Sequence, residues 1–192
     1  MFAMTALRTF AGVHLIHHFK GALFTVHTDS DTVYMSEKDP GSDGEAWAVV
    51  EVDAERFLQL WRRPGSSHPE VAHQSPATWP LDRKFHWPDK HFTEGRVNPV
   101  PLATVSCELR RLETPVWRRR LLGQVLERVD VTEHSVLSFT DGVTRTIWLL
   151  THGVQAMPVK CPMADAARLQ ALAGVDGGQP VAIGTLFKQK MD

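Results

Sequence analysis

Between Ser135 and Cys161 the chain reads SVLSFTDGVTRTIWLLTHGVQAMPVKC, and the parsing of this stretch decides the fold. Ser135–Thr140 has the composition of a short strand, and Asp141-Gly142 breaks it with turn chemistry. From about Val143 to His152 the pattern is helical, and Gly153 stands where helices commonly stop. AMPVKC then returns to a strand. One strand-to-helix corner therefore carries Asp141, Gly142, Thr144 and Arg145.

That corner has two readings. Gly is the default residue for a tight corner and Asp favours turns, so the residues suffice for a structural cap. Equally, the amides of Gly142, Val143 and Thr144 would be unpaired at the helix start, at the positive pole of the helix dipole. Such an end suits a phosphate, and Arg145 and the Thr144 hydroxyl would add donors.

Working outward, MADAARLQALAG predicts an amphipathic helix after the last strand, and VNPVPLATVSC a strand before the corner. Pro99 and Pro101 restrict that strand to an edge or a strand start. Thr114 and Pro115 look like the cap and first residue of a helix. Trp117, Leu121, Leu122, Val125, Leu126 and Val129 follow at helical spacing, which predicts a buried face bearing Trp117. Arg118 and Arg119 should then project into solvent. With Arg110, Arg111, Arg120 and Arg128 they form the densest basic region. It is either a solvated face balanced by Glu108, Glu113 and Glu127, or a contact for DNA phosphates whose binding falls steeply with salt.

Upstream, residues 1–63 form an α+β extension. GALFTVHTDSDTVYMSE reads as a hairpin about Asp29-Ser30-Asp31, AWAVVEV as a strand, and AERFLQLWRR as a helix capped by Asp53. Residues 64–96 are an irregular Pro/His/Trp-rich connection. Its aromatics Trp79, Phe85, Trp87 and Phe92 argue that it packs onto the body, with base stacking the alternative for Trp79 and Trp87. Residues 97–192 make the core unit. Trp148 is expected in the core.

Composition narrows the function classes. The 192 residues carry a formal charge of -1, with 43% apolar and 22% charged residues. A whole-chain basic field is excluded, so any nucleic-acid contact needs a local patch. Two distant cysteines make no disulfide framework or zinc spacing, and suit a reducing compartment. His14, His17, His18 and Lys20 interrupt the apolar start, so neither a membrane span nor a secretory signal is expected. The ten histidines have no carboxylate or cysteine pattern that completes a zinc site.

A strand ending in Asp-Gly, an x-x-Arg that opens a helix, a Gly and a Pro-Val strand resemble the ParB/sulfiredoxin fold, whose G-x-x-R turn holds nucleotide phosphates. NPVPLATV is similar to the proline-bearing strand that opens that unit, and the likeness runs from Val97 to Gly174. With the lead-in DRKFHWPDKHFTEGRVNPVPLA, the whole chain resembles the plasmid fertility inhibition proteins. The fold class expected is α+β, a mixed-sheet core with the N-terminal extension.

The resemblance implies a plasmid-encoded factor that blocks conjugative transfer, T-DNA transfer included, by ATP hydrolysis and DNA cleavage. It implies ATP and Mg²⁺ as cofactors, and the transferred DNA strand as substrate. The conjugative coupling protein or relaxosome would be partners, met in the cytoplasm at the inner membrane face. Carried onto this sequence, Gly142, Val143, Thr144 and Arg145 would bind phosphate, and Arg96 and Asn98 would touch the nucleotide or the DNA strand. Asp141 and Arg145 would be catalytic, Asp141 placing Mg²⁺ or water, and Arg118, Arg119 and Arg120 would contact DNA. Two departures matter. Val143 stands where sulfiredoxins keep Cys, which disfavours thiol chemistry, and where ParB proteins keep Glu, which leaves the hydrolytic group open. A non-catalytic module that occupies the coupling protein or relaxosome through the aromatic 64–98 segment is the alternative.

Overall fold

A computed structural model describes residues 7–120 and 123–188. Two mixed sheets share one core. The first is a meander of β1 (Phe10–Ile16), β2 (Phe19–His27) and β3 (Thr32–Lys38), with the short β5 (Val100–Pro101) added parallel to β3. The second runs β7-β6-β8-β4-β9, with β4 at Trp47–Asp53, β6 at Ala103–Arg120, β7 at Gly123–Asp141, β8 at Ala156–Pro162 and β9 at Val181–Ala182. The α+β class holds.

Local chemistry accounts for most elements. The β2–β3 hairpin closes where expected, Thr28 donating its amide to the Asp31 carbonyl at 2.9 Å. Asp53 caps α1 (Ala54–Trp61) by accepting the Arg56 amide at 2.9 Å. Phe57, Leu60 and Trp61 all enter the core. α4 (Val143–Thr151) and α5 (Met163–Ala173) stand as the periodicity predicts, and Trp148 is buried. No described helix is long and apolar enough to cross a membrane.

β4 belongs to the segment expected to be an extension, yet it pairs along its whole length with β8 and lies inside the second sheet. The boundary at residue 63 therefore does not separate two structural units. Valines buried on both faces of β4 need strands on each side, and only the later part of the chain supplies them.

The helix expected from Thr114 is a strand. β6 and β7 form one long antiparallel ribbon, and its outer part stands clear of the rest of the sheet. Pro115 and Val129 face each other across it, as do Trp117 and Leu126. Trp117 is 55% exposed rather than in the core, and Leu126, Val129 and Val131 are exposed too. Leu121 and Leu122 lie outside the described residues. Pro115 is tolerated because β6 has no second neighbour at that level, so its missing N–H breaks no ladder. The residue order Arg128-Val129-Asp130-Val131-Thr132 alternates with period two, and this strand signal overrides the helical spacing before it.

The irregular connection is folded onto the body. It carries α2 (Pro69–Ala72), a 3-10 turn at Trp79–Leu81 and α3 (His86–Thr93). Trp79, Phe85 and Phe92 are buried. Ahead of α2, Ser66 and Ser67 cover the free edge of β7, their hydroxyls accepting the amides of Leu137 and Phe139 at 3.0 and 2.9 Å.

Candidate functional site

The site grows from the end of β7. Asp141 is its last residue, and Gly142 turns the chain at φ +98° into α4. A Cβ on Gly142 would lie 2.7 Å from Cα and Cβ of Ala103 at the start of β6, so the corner needs glycine for space as well as for its backbone angle. No side chain caps α4. The first amides of the helix, at Val143, Thr144 and Arg145, are thus the donors it offers to a ligand.

Arg145 does something the sequence did not reveal. Its Nη1 donates to the carbonyls of Pro101 and Leu102 at 2.7 and 3.1 Å, and Nη2 donates to the Asp141 carboxylate at 2.5 Å. The side chain is only 14% exposed. Arg145 therefore staples the β5–β6 bend to the corner, and much of its fork is committed to protein oxygens. Asp141 is exposed on its far side and partnered by Arg145 on the near one.

The corner opens on a cavity of about 630 Å³ whose lining includes Asp141 to Arg145. The opposite wall comes from the connection: His68, Lys84, Trp87 and His91, with Asn98 beside them. His68 sits in the left-handed region at φ 52°, which turns the chain at the cavity rim. His68 and His91 each stand near a carboxylate, Glu70 at 3.6 Å and Glu94 at 3.7 Å. Glu94 also accepts from the Asn98 amide, joining His91 and Asn98 through one carboxylate.

The wall is anchored from behind. Phe92 stacks on Trp148 of α4 at 4.3 Å, Trp148 stacks on His152 at 3.7 Å, and the Trp148 indole N–H donates to Asp89 at 3.1 Å. The helix that opens at the corner thus also holds the facing wall.

Against these positions a family model described as Plasmid Fertility inhibition factor matches residues 49–174. The chain belongs to that family. The match runs from β4 to the end of α5 and so contains the whole cavity. Protein osa of Shigella flexneri is 31% identical over 142 residues, covering 73% of this chain and 62% of that protein. The chain thus spans less than two thirds of that relative's length. A crystal structure titled as an oncogenic suppression activity protein, a plasmid fertility inhibition factor in its gold(I) cyanide derivative, superposes with a TM-score of 0.65 at 27% identity. That likeness covers 88% of this chain and 77% of the other.

Within this fertility inhibition factor the expected residues divide. Asp141, Gly142, Val143, Thr144, Arg145 and Asn98 share the cavity. Arg96 turns away from it, its guanidinium 3.2 Å from the His14 ring on β1. Arg118 and Arg119 lie on the ribbon, and as neighbours in a strand they point to opposite faces, where a helix would have presented both outward. The Arg120 side chain lies outside the described residues. His68, Lys84, Trp87 and His91 do not stand out as one group in the sequence, because only the packing of residues 64–98 gathers them. The one available signal was the density of His and Trp in a proline-rich segment.

Among the described residues, no group of three or more His, Cys, Asp or Glu side chains is placed to hold a metal ion. Asp141 alone would serve Mg²⁺, which takes one or two carboxylates together with phosphate oxygens and water. Cys107 and Cys161 are buried away from the cavity. Burial, chiefly, pushes their thiols up to about 11 and about 12, so neither is a nucleophile at neutral pH.

Proposed function

We propose that this fertility inhibition factor blocks conjugative transfer, T-DNA transfer included, by binding ATP in the cavity, hydrolysing its terminal phosphoanhydride to ADP and phosphate, and hydrolysing phosphodiesters of the transferred DNA strand. The observation that carries the reading is the uncapped start of α4, which faces Lys84, His68 and His91 across one cavity. The α4 amides, the Thr144 hydroxyl and Lys84 would hold the phosphate oxygens and stabilise the charge that builds on them. His91, backed by Glu94, or His68, backed by Glu70, would take the proton of the attacking water, a role Val143 cannot fill. Arg145 acts as a positioning residue that keeps the corner in register. Mg²⁺ arriving with the phosphates would supply charge neutralisation, with Asp141 as its protein ligand. The reaction takes place in the cytoplasm, at the inner face of the membrane where the transfer machinery works.

The test is ATPase and nuclease assay of Lys84→Ala beside wild type. Both rates should fall by about tenfold or more, with thermal stability unchanged because Lys84 lines the cavity rather than the core. Equal rates in the two proteins would remove the cavity from the mechanism.

A second reading is favoured by the ribbon. Trp117, Leu126, Val129 and Val131 lie on one exposed apolar face, and such a face suits a protein partner. In this reading the chain occupies the conjugative coupling protein or relaxosome without chemistry, and Arg118 and Arg119 add contacts to the DNA it carries. Purified protein that leaves DNA intact with Mg²⁺ and ATP, yet still blocks transfer, would favour it.

A further inference from the structure

The six tryptophans of the chain have different surroundings. Trp61 and Trp79 are buried, and their indole N–H groups donate to the carbonyls of Ser67 and Val71. Trp148 is buried between Phe92 and His152 and bonded to Asp89. Trp47 has the Lys160 ammonium over its ring at 4.8 Å, and Trp117 stands on the ribbon. Each of the first four has a structural task. Trp87 is 59% exposed and lines the cavity. The His86 ring stands perpendicular to it at 6.1 Å, and more than half of the Trp87 surface stays open.

We infer that Trp87 is the platform on which the base of a bound mononucleotide stacks, while its phosphates lie against the Gly142–Arg145 corner. This deepens the phosphate-site reading and rests on it. Three observations carry it. An anion alone would need only the polar half of the cavity, yet the same cavity has an apolar wall of Trp87 and Pro88. Its volume of about 630 Å³ falls within the range of small-molecule sites and suits one nucleotide. The helix beneath the platform is also anchored. Asp89 and Phe92 tie α3 to Trp148 from the side of the helix opposite Trp87, so α3 presents Trp87 on its cavity side. A flat π-face stacks on any base, which makes the contact tolerant of base identity.

Calorimetric titration of the full chain with ATP and, separately, with tripolyphosphate tests this on wild type, Trp87→Ala and Trp87→Phe. The ATP Kd should rise about 5- to 150-fold in Trp87→Ala, the range of one base–aromatic stack, and return most of the way in Trp87→Phe. Tripolyphosphate should bind all three proteins alike. An unchanged ATP affinity in Trp87→Ala, or an equal loss for both ligands, would overturn the platform and leave the phosphate site standing. Wild-type protein that binds neither ligand would overturn the phosphate site and the platform with it.

Discussion

The Gly142 corner and the outer β6–β7 ribbon relate to the core in opposite ways. At the corner each residue is committed twice over. Gly142 is confined by Ala103, Arg145 by two carbonyls and a carboxylate, and α4 behind it carries Ile147, Trp148 and Leu149 into the core. On the ribbon the apolar residues touch their cross-strand partners and little else, and the charges pair locally, as Arg128 does with Asp130 at 2.8 Å. A pair of strands alone is marginally stable in water. Near its base the ribbon is tied to the body by Arg110 on the Gly65 carbonyl and by His134 on the Pro64 carbonyl, each at 3.0 Å. The difference separates residues that hold the fold from residues that remain available to a partner.

The contrast breaks most sharply at Gly142. Gly142→Val should cost more than about 3 kcal/mol, combining a left-handed backbone with a clash against β6. Denaturant unfolding measures it, and a loss under about 1 kcal/mol would mean that the corner relaxes freely. Arg145→Ala comes next. It strands the Pro101 and Leu102 carbonyls and frees Asp141, so stability should drop by about 1–3 kcal/mol. Hydrolytic rates should fall along with it. A variant that keeps full stability but loses activity would return Arg145 to the direct phosphate-binding role expected from its motif.

The smallest effect on stability is expected on the ribbon. The double variant Trp117→Ser/Leu126→Ser should change unfolding free energy by no more than about 0.5 kcal/mol, because both residues are already exposed. Its effect on transfer in a mating assay then sharpens the functional comparison. Full inhibition by this variant places the activity in the cavity, and lost inhibition with intact ATPase activity places it on the ribbon.

Several elements were readable before folding was considered. Asp53 as a helix cap, the Asp29–Asp31 turn, the α4 and α5 periodicities and the G-x-x-R corner each rest on residues within one or two turns of one another. Their determinants are local, so the sequence displays them directly. The ribbon was not readable in that way. Thr114-Pro115 satisfies helix-start chemistry, and Trp117 to Val129 satisfies helical spacing, yet both strands pair over a distance that local propensity does not sense. The cavity was half readable. Its Gly142 wall is one continuous motif, while His68, Lys84, Trp87 and His91 are spread over 24 positions of a proline-broken segment.

By itself, then, the sequence determined the α+β class, the family resemblance and the strand-to-helix corner from Asp141 to Arg145, the corner through short-range constraints on backbone and caps. Tertiary structure decided that β4 joins the second sheet, that Arg145 faces inward as a staple, and that the aromatic connection supplies the wall opposite the corner. Each of these depends on contacts between residues far apart in the chain. Burial of apolar surface, rather than local preference, selects such contacts.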